Sequence, residues 1–294
     1  MTETSTTRPA DFDAYWAAVD DELKKYPASP TLEALALPSD EYSTVYAAKI
    51  TSIGPYRIFG YLSIPKAEGK HPGLLIAPGY GSVNHLPHLD DRQRYVTLVL
   101  MHRGQRLADQ PFAAAYPGLL TLGIDDPAAY VYRGIVADCL RGAEFLLSRP
   151  EVDTSRVGIS GGDLALITAA RRPGFSAVQA SGLLFHRLMA VRERTDAYPV
   201  EEVNDYLRAH PDKVGAVART LSYFEPANHV STLNATTLFN GGGAGVKSLM
   251  DAIPGTAEQY ELTHEGGTDH DWADAWMAKQ LGSIPKPRLW EVAS

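Results

Sequence analysis

The residues with the clearest chemical meaning lie in Val157-Gly158-Ile159-Ser160-Gly161-Gly162-Asp163-Leu164-Ala165. An apolar, strand-like run passes through small residues straight into a helix-like run. Such a turn lifts one side chain clear of the backbone, and its small neighbours let the chain bend that tightly. The helix that follows favours negative charge developing at its N-terminus. Two registers satisfy the pattern. Gly158-Ile159-Ser160-Gly161-Gly162 fits G-x-S-x-G and nominates Ser160; Gly161-Gly162-Asp163-Leu164-Ala165 also has small residues on both sides and nominates Asp163. Strand length favours Asp163. With Ser160 at the tip, only Arg156 to Ile159 remain to emerge from the interior, whereas Asp163 adds three residues to the strand and starts the helix at Leu164. Without any chemistry, Asp163 would still serve as a helix cap.

A carboxylate and a hydroxyl at that tip do different work. Toward an ester a carboxylate is a poor nucleophile, because the product is an anhydride. Toward an sp3 carbon bearing a halide or an epoxide oxygen it forms an alkyl-enzyme ester, which histidine-activated water can cleave. Burial would instead raise its pKa and make it a general acid or base. The base is sought on a loop after the last strand. There, Thr263-His264-Glu265-Gly266-Gly267-Thr268-Asp269-His270-Asp271 offers His264, directly after a strand, and His270, just before the final helix. The plainer reading of either is a loop histidine bonded to neighbouring carboxylates.

These side chains need a scaffold, and the apolar pattern supplies one. Asp11–Lys25 reads as a helix, with Phe12, Tyr15, Trp16, Val19 and Leu23 at helical spacing. Alternation predicts strands over 42–53 and 57–64; continuous apolar runs over 73–77 and 96–100 predict strands buried on both faces. Tyr130–Ser148 is a helix with Ile135, Cys139, Ala143 and Leu146 on one stripe, and Leu164–Arg171 another. Strands are expected at 156–160, 177–182, 236–240 and 259–263, and a last helix at 271–281. Strands alternating with helices imply right-handed crossovers and a mainly parallel sheet. The expectation is one α/β domain over 1–294, with an N-terminal helical extension over 1–40 and a helical insertion near 185–230 covering the site.

Composition narrows the function classes. The chain has 294 residues, 27 Lys+Arg against 35 Asp+Glu, a formal charge of −8, 45% hydrophobic residues and 21% charged ones. That balance belongs to an ordinary globular protein and excludes disorder for most of the chain. No apolar run approaches the ~18–20 residues of a membrane span. Met1–Thr7 lacks the features of a signal peptide, and Cys139 is the only cysteine, so a cytoplasmic location is expected. The acidic balance argues against a nucleic-acid partner and for a small uncharged or cationic substrate.

Over most of its length the chain resembles the acetylxylan esterase and cephalosporin C deacetylase family of α/β-hydrolases. The resemblance rests on Asp11-Phe12-Asp13-Ala14-Tyr15-Trp16, Gly79-Tyr80-Gly81, Arg103-Gly104-Gln105, Tyr132-Arg133-Gly134 with Asp138, and the elbow. Ala197-Tyr198-Pro199, Tyr206-Leu207 and Leu221-Ser222-Tyr223-Phe224-Glu225-Pro226-Ala227-Asn228 complete it. It implies an α/β-hydrolase fold, a hydrolase acting on a small molecule without a cofactor, and self-association. Counted from the lead-in Asp153-Thr154-Ser155-Arg156, the family's nucleophilic serine falls on Asp163 and its following glutamine on Leu164. His264-Glu265-Gly266-Gly267 resembles the string that carries the family's catalytic histidine. The family's aspartate would fall between Gly241 and Ala244, where no carboxylate occurs. An oxyanion hole needs backbone donors, which survive side-chain replacement; Tyr80 and Leu164 are the candidates.

With serine replaced, the expectation is a hydrolase of this broad class acting on an ester-like or alkylated metabolite, and not an ordinary deacetylase. An Asp163/His264 lyase or cyclase, a non-catalytic binding descendant, and ester hydrolysis through Ser160 are the alternatives. Arg103 is read as an anion ligand or, more simply, a buried arginine holding loops together. His85, His88, Asp90 and Asp91 have metal-ligand chemistry, but Pro87 and the loop setting favour a solvated loop, so no metal site is expected. Asn240–Gly245 lacks the residues of a phosphate loop. Trp272 and Trp276 read as core.

Overall fold

The computed structural model describes residues 7–81 and 85–287; the first six residues, part of the segment read for a signal peptide, lie outside them. Nine strands form one sheet: β1 Thr31–Leu35, β2 Ser43–Thr51, β3 Arg57–Pro65, β4 His71–Ile76, β5 Val96–Met101, β6 Val152–Gly161, β7 Ala177–Ser181, β8 Thr236–Asn240 and β9 Ala257–Tyr260. Their order is β1-β2-β3-β5-β4-β6-β7-β8-β9. From β1 to β5 the neighbours run antiparallel, and from β5 onward parallel. Every residue of β5 is buried, as its unbroken apolar run requires. The chain leaves β4 toward β5 on one side and returns to β6 on the other. At such a reversal the carboxyl ends of the strands open a crevice, where ligands of open α/β sheets bind.

The helices are α1 Phe12–Lys25, α2 Leu89–Arg94, α3 Val131–Leu147, α4 Asp163–Arg171, α5 Leu188–Val191, α6 Glu201–Ala209, α7 Val214–Ser222, α8 Lys247–Ala252 and α9 Gly266–Gln280. None is long and apolar enough, among the described residues, to cross a membrane. The stripe on α1 buries Phe12, Trp16, Val19 and Leu23, and the Trp16 indole donates to the Tyr223 carbonyl at 3.2 Å. Phe12 and Trp16 also meet the His229 ring edge-on. The N-terminal helix thereby fixes the 223–229 turn, which carries Glu225.

Several elements depart from the sequence reading. Residues 31–35, expected within a helical extension, form β1: an edge strand, mostly exposed, that exists through pairing with β2. The last strand ends at Tyr260, so His264 does not follow it directly. The Asp269 carboxylate accepts from the Thr263 N–H and hydroxyl at 2.8 Å and from the His264 N–H at 3.0 Å, drawing the chain off the sheet. The final helix begins at Gly266, which puts His270 within it rather than before it. Trp276 is buried, but Trp272 is 37% exposed and stacks on Tyr260 at 4.0 Å.

Candidate active site

The strand leading to the elbow runs to Gly161, and α4 starts at Asp163. Gly162 joins them with φ −100° and ψ −136°. A Cβ on Gly162 would sit 3.0 Å from the Ser181 carbonyl oxygen, so the elbow presses directly on the segment that follows β7. Asp163 is an ordinary first helical residue and is not among the non-glycine residues with positive φ. Its side chain is 4% exposed. Oδ2 accepts the Leu184 N–H at 2.5 Å, while Oδ1 has no hydrogen-bond partner. Burial pushes the carboxyl up to about 6, opposed by the N–H groups of Leu184, Phe185 and Asp163 itself. The donors to this carboxyl therefore include the loop after β7.

Beside Asp163 lies a pair absent from the sequence reading of the site. His186 Nδ1 donates to Glu225 Oε1 at 2.7 Å, and Nε2 is 3.1 Å from the Gly245 carbonyl oxygen. Glu225 also accepts the Arg187 N–H at 2.7 Å, through Oε2. Burial opposes the charge of His186, but the hydrogen bond and charge of Glu225 outweigh it, and its pKa is raised, with Asp163 adding in the same direction. Acceptors on both ring nitrogens suit an imidazolium. The sequence did carry a signal for His186: it follows the carboxyl end of a central strand, where sites of this architecture form. Its partner is 39 positions away and could not be read from spacing.

The remaining candidates divide among different places. His264 is exposed, with φ +64°, and its main chain rather than its ring is held by Asp269. Asp269 therefore fixes the loop and does not orient the imidazole. The Tyr80 phenol donates to Glu202 Oε1 at 2.5 Å and accepts the Leu120 N–H at 3.2 Å; burial and Glu202 hold it protonated. The Arg103 guanidinium grips Asp138 through Nε at 2.9 Å and an NH2 group at 2.8 Å, and lies over the Tyr56 ring. That engagement is a structural one.

Two cavities open at the carboxyl end of the sheet. One, of about 340 Å³, lies between the sheet, α2 and α9; Ser160, Gln179, Asn240, His88 and His270 are in its wall. Ser160 and His270, the alternatives to Asp163 and His264, thus share a cavity. Ser160 is nonetheless a regular strand residue, paired with Ile76 and Gln179. The other, of about 330 Å³, lies under the start of the inserted segment and is lined by His186, Arg187, Arg194 and the 240–246 loop. Asp163 and His264 line neither. Among the described residues, no three potential ligands gather to hold a metal, the His85–Asp91 loop included.

A mainly parallel sheet with this strand order, and a strand–turn–helix elbow at its reversal, define an α/β-hydrolase fold. The chain belongs to the acetyl xylan esterase (AXE1) family, which it matches over residues 2–273. It is 32% identical over 196 residues to the acetyl esterase Axe7A of Xylanibacter ruminicola; the match covers 60% of this chain and 44% of that protein, so the chain spans less than half the length of that curated relative. The acetyl xylan esterase from Paenibacillus sp. R4 superposes with a TM-score of 0.81 at 23% identity, over 97% of this chain and all of that one. Acetyl xylan esterase 1 from Thermoanaerobacterium sp. JW/SL YS485 gives 0.80 at 22% identity, over 94% and 95%. At these identities the likeness to the solved structures is one of fold.

Proposed function

We propose that this chain hydrolyses a small ester-like or alkylated metabolite with Asp163, rather than a seryl hydroxyl, in the nucleophile position. One observation carries the reading: the Asp163 carboxyl is asymmetric, Oδ2 held by the Leu184 N–H and Oδ1 without a partner. A carboxylate nucleophile needs one oxygen fixed and the other with its lone pairs available. Oδ1 attacks an sp3 carbon, the bond from that carbon to oxygen or halogen breaks, and the leaving group takes the electron pair. Water then adds to the Asp163 carboxyl carbon, the acyl–oxygen bond breaks, and an alcohol leaves with the carboxylate restored. His264 takes the family's base position in this reading, and the backbone N–H groups of Tyr80 and Leu164 form the oxyanion hole. His186, tied to Glu225 through Nδ1, can take the water proton only as the neutral ring, with Nε2 deprotonated and released from the Gly245 carbonyl. Because Asp163 is 4% exposed, segment 182–187 must lift to admit substrate.

The pKa near 6 favours a second reading, in which Asp163 transfers a proton as the acid or base of a lyase or cyclase. Turnover of an epoxide and haloalkane panel in H2(18)O separates the two. Nucleophilic attack labels the Asp163 peptide with 18O, and proton transfer does not. Binding without turnover across the panel would indicate a descendant that only binds. On p-nitrophenyl acetate the wild type is expected to be inert and Asp163→Ser to gain activity that a histidine variant, His264→Ala or His186→Ala, removes. Wild-type hydrolysis that survives Asp163→Ser and is lost in Ser160→Ala would move the nucleophile to Ser160. Self-association belongs to the same family reading and a cytoplasmic location to the N-terminal residues and the single cysteine; light scattering and cell fractionation check them.

A further inference from the structure

We propose that the cavity between the sheet, α2 and α9 binds a neutral small molecule: an apolar body with N–H or O–H donors, as in a primary amide or an alcohol. Ser160, Gln179 and Asn240 receive those donors. The inference goes beyond the reading of Asp163 and does not depend on it, since Asp163 does not line this cavity.

The register of the sheet puts the three polar side chains side by side. Ser160 on β6 pairs with Gln179 on β7, and Gln179 pairs with Leu238 on β8, two residues before Asn240. Alternate residues of a strand share a face, so all three point toward α9. One layer deeper on that face, Leu74, Ala177 and Leu238 close against Trp276, Met277 and Leu281. A parallel sheet covered by helices ordinarily continues such an apolar layer along its strands. Here the layer turns polar at the carboxyl ends of three adjacent strands, where ligands of open α/β sheets bind, and a cavity of about 340 Å³ lies over it.

The polar row has acceptors without donors. Gln179 Nε2 donates to the Ala273 carbonyl at 2.5 Å, which fixes the amide and turns its oxygen away from that bond, in a residue only 8% exposed. Asn240 Oδ1 is buried and, among the described residues, is the only side-chain amide atom so placed without a partner. No described residue donates to the Gln179 oxygen or to Ser160 Oγ either. Buried polar groups of native structures are paired, and an occupant that carries donors pairs these. Charge selects against an ion. Asp91 and Asp274 stand in the wall and repel an anion, while Arg94 already holds both, at 3.1 and 2.5 Å, which leaves little for a cation. Leu74, Ile76, Val99 and Met277 supply the apolar part of the wall, and the volume fits one small molecule.

Calorimetric titration with benzamide, benzyl alcohol, N,N-dimethylbenzamide and benzoate, at fixed pH and ionic strength, tests the proposal. The first two bring donors on an apolar ring, the third keeps the ring and amide without a donor, and the fourth brings a charge. Saturable binding of benzamide or benzyl alcohol is expected, with the other two weaker by roughly tenfold, the effect of one lost hydrogen bond to a buried acceptor. Asn240→Leu keeps the shape and removes the acceptor; it should weaken benzamide by about the same factor and leave N,N-dimethylbenzamide unchanged. Ala273→Phe fills the cavity from α9 while keeping the carbonyl that holds Gln179, and should abolish binding of every probe. It tests the location even where circular dichroism shows Asn240→Leu unfolded. Equal binding of benzamide and its dimethyl analogue would leave a merely apolar hole, and no binding of either donor a cavity that holds only water; each overturns the proposal. So do benzoate bound as tightly as benzamide, full binding in Ala273→Phe, and an unchanged benzamide affinity in folded Asn240→Leu. Absence of 18O at Asp163 alters none of these readouts.

Discussion

Burial pushes the Asp163 carboxyl up to about 6, against 3.8 for an unburied aspartate. Below pH 3.8 the group is protonated in both the folded and the unfolded chain and has no effect on their balance. Between 3.8 and 6 the folded chain keeps a proton that the unfolded chain releases, so stability falls as pH rises. Above 6 the loss is complete, about 3 kcal/mol from the distance between the two values. Asparagine keeps an acceptor for the Leu184 N–H without the charge. Asp163→Asn is therefore expected to be more stable than wild type by about 1–3 kcal/mol at pH 7.5 and no more stable near pH 4, as read by urea unfolding at both values. An equal difference at both would show that ionisation is not what the fold resists. Rate follows the same titration: a nucleophilic carboxylate gains activity as pH rises through 6, and an acid catalyst loses it.

Two buried carboxylates tie elements together, and each supports an expected loss. Asp138 on α3 is fully buried and accepts from the Arg103 side chain and from the Arg103 N–H at 2.9 Å. Asp138→Ala strands a buried guanidinium, and a cost of about 3–5 kcal/mol is expected in denaturant unfolding. Glu202 on α6 accepts from the Tyr80 phenol, from the Gly118 N–H at 2.7 Å and from the Leu120 N–H at 3.3 Å. Glu202→Ala should free the inserted helix from the loop after β4, so limited proteolysis near 195–210 is expected to quicken well before global unfolding. The sequence made the central elements legible because their burial is periodic: the run in β5 and the stripe on α1 could not lie elsewhere. It could not show β1, whose residues are mostly exposed and are held by an edge pairing. It brought out Asp163 because small residues mark a tight turn locally. His186 with Glu225, and His264 with Asp269, depend on side chains and main chain meeting across loops, which leave no periodic trace.

For the whole molecule, the question is whether the family's deacetylase machinery has lost only side chains or also its geometry. The fold matches that of an acetyl xylan esterase over 97% of this chain, yet on the proposed register the nucleophile position falls on Asp163 and the acid position in a run of glycines. Within that run the positions differ in what they can accept. A Cβ on Gly242 would meet Val246 at 2.5 Å, and one on Gly241 would meet Leu262 at 3.1 Å, whereas Gly243 has open space and φ +53°, which aspartate tolerates better than most residues. Asp163→Ser/Gly243→Asp therefore returns both missing groups at little packing cost. If geometry survives, p-nitrophenyl acetate hydrolysis by the double variant is expected to exceed that of Asp163→Ser by about 100-fold and to fall back in His264→Ala, since an acid that orients the base contributes on that scale. A double variant no faster than Asp163→Ser would mean that the histidine has left the triad. The exposed ring of His264 and its main-chain tether to Asp269 make that the outcome to set against restoration.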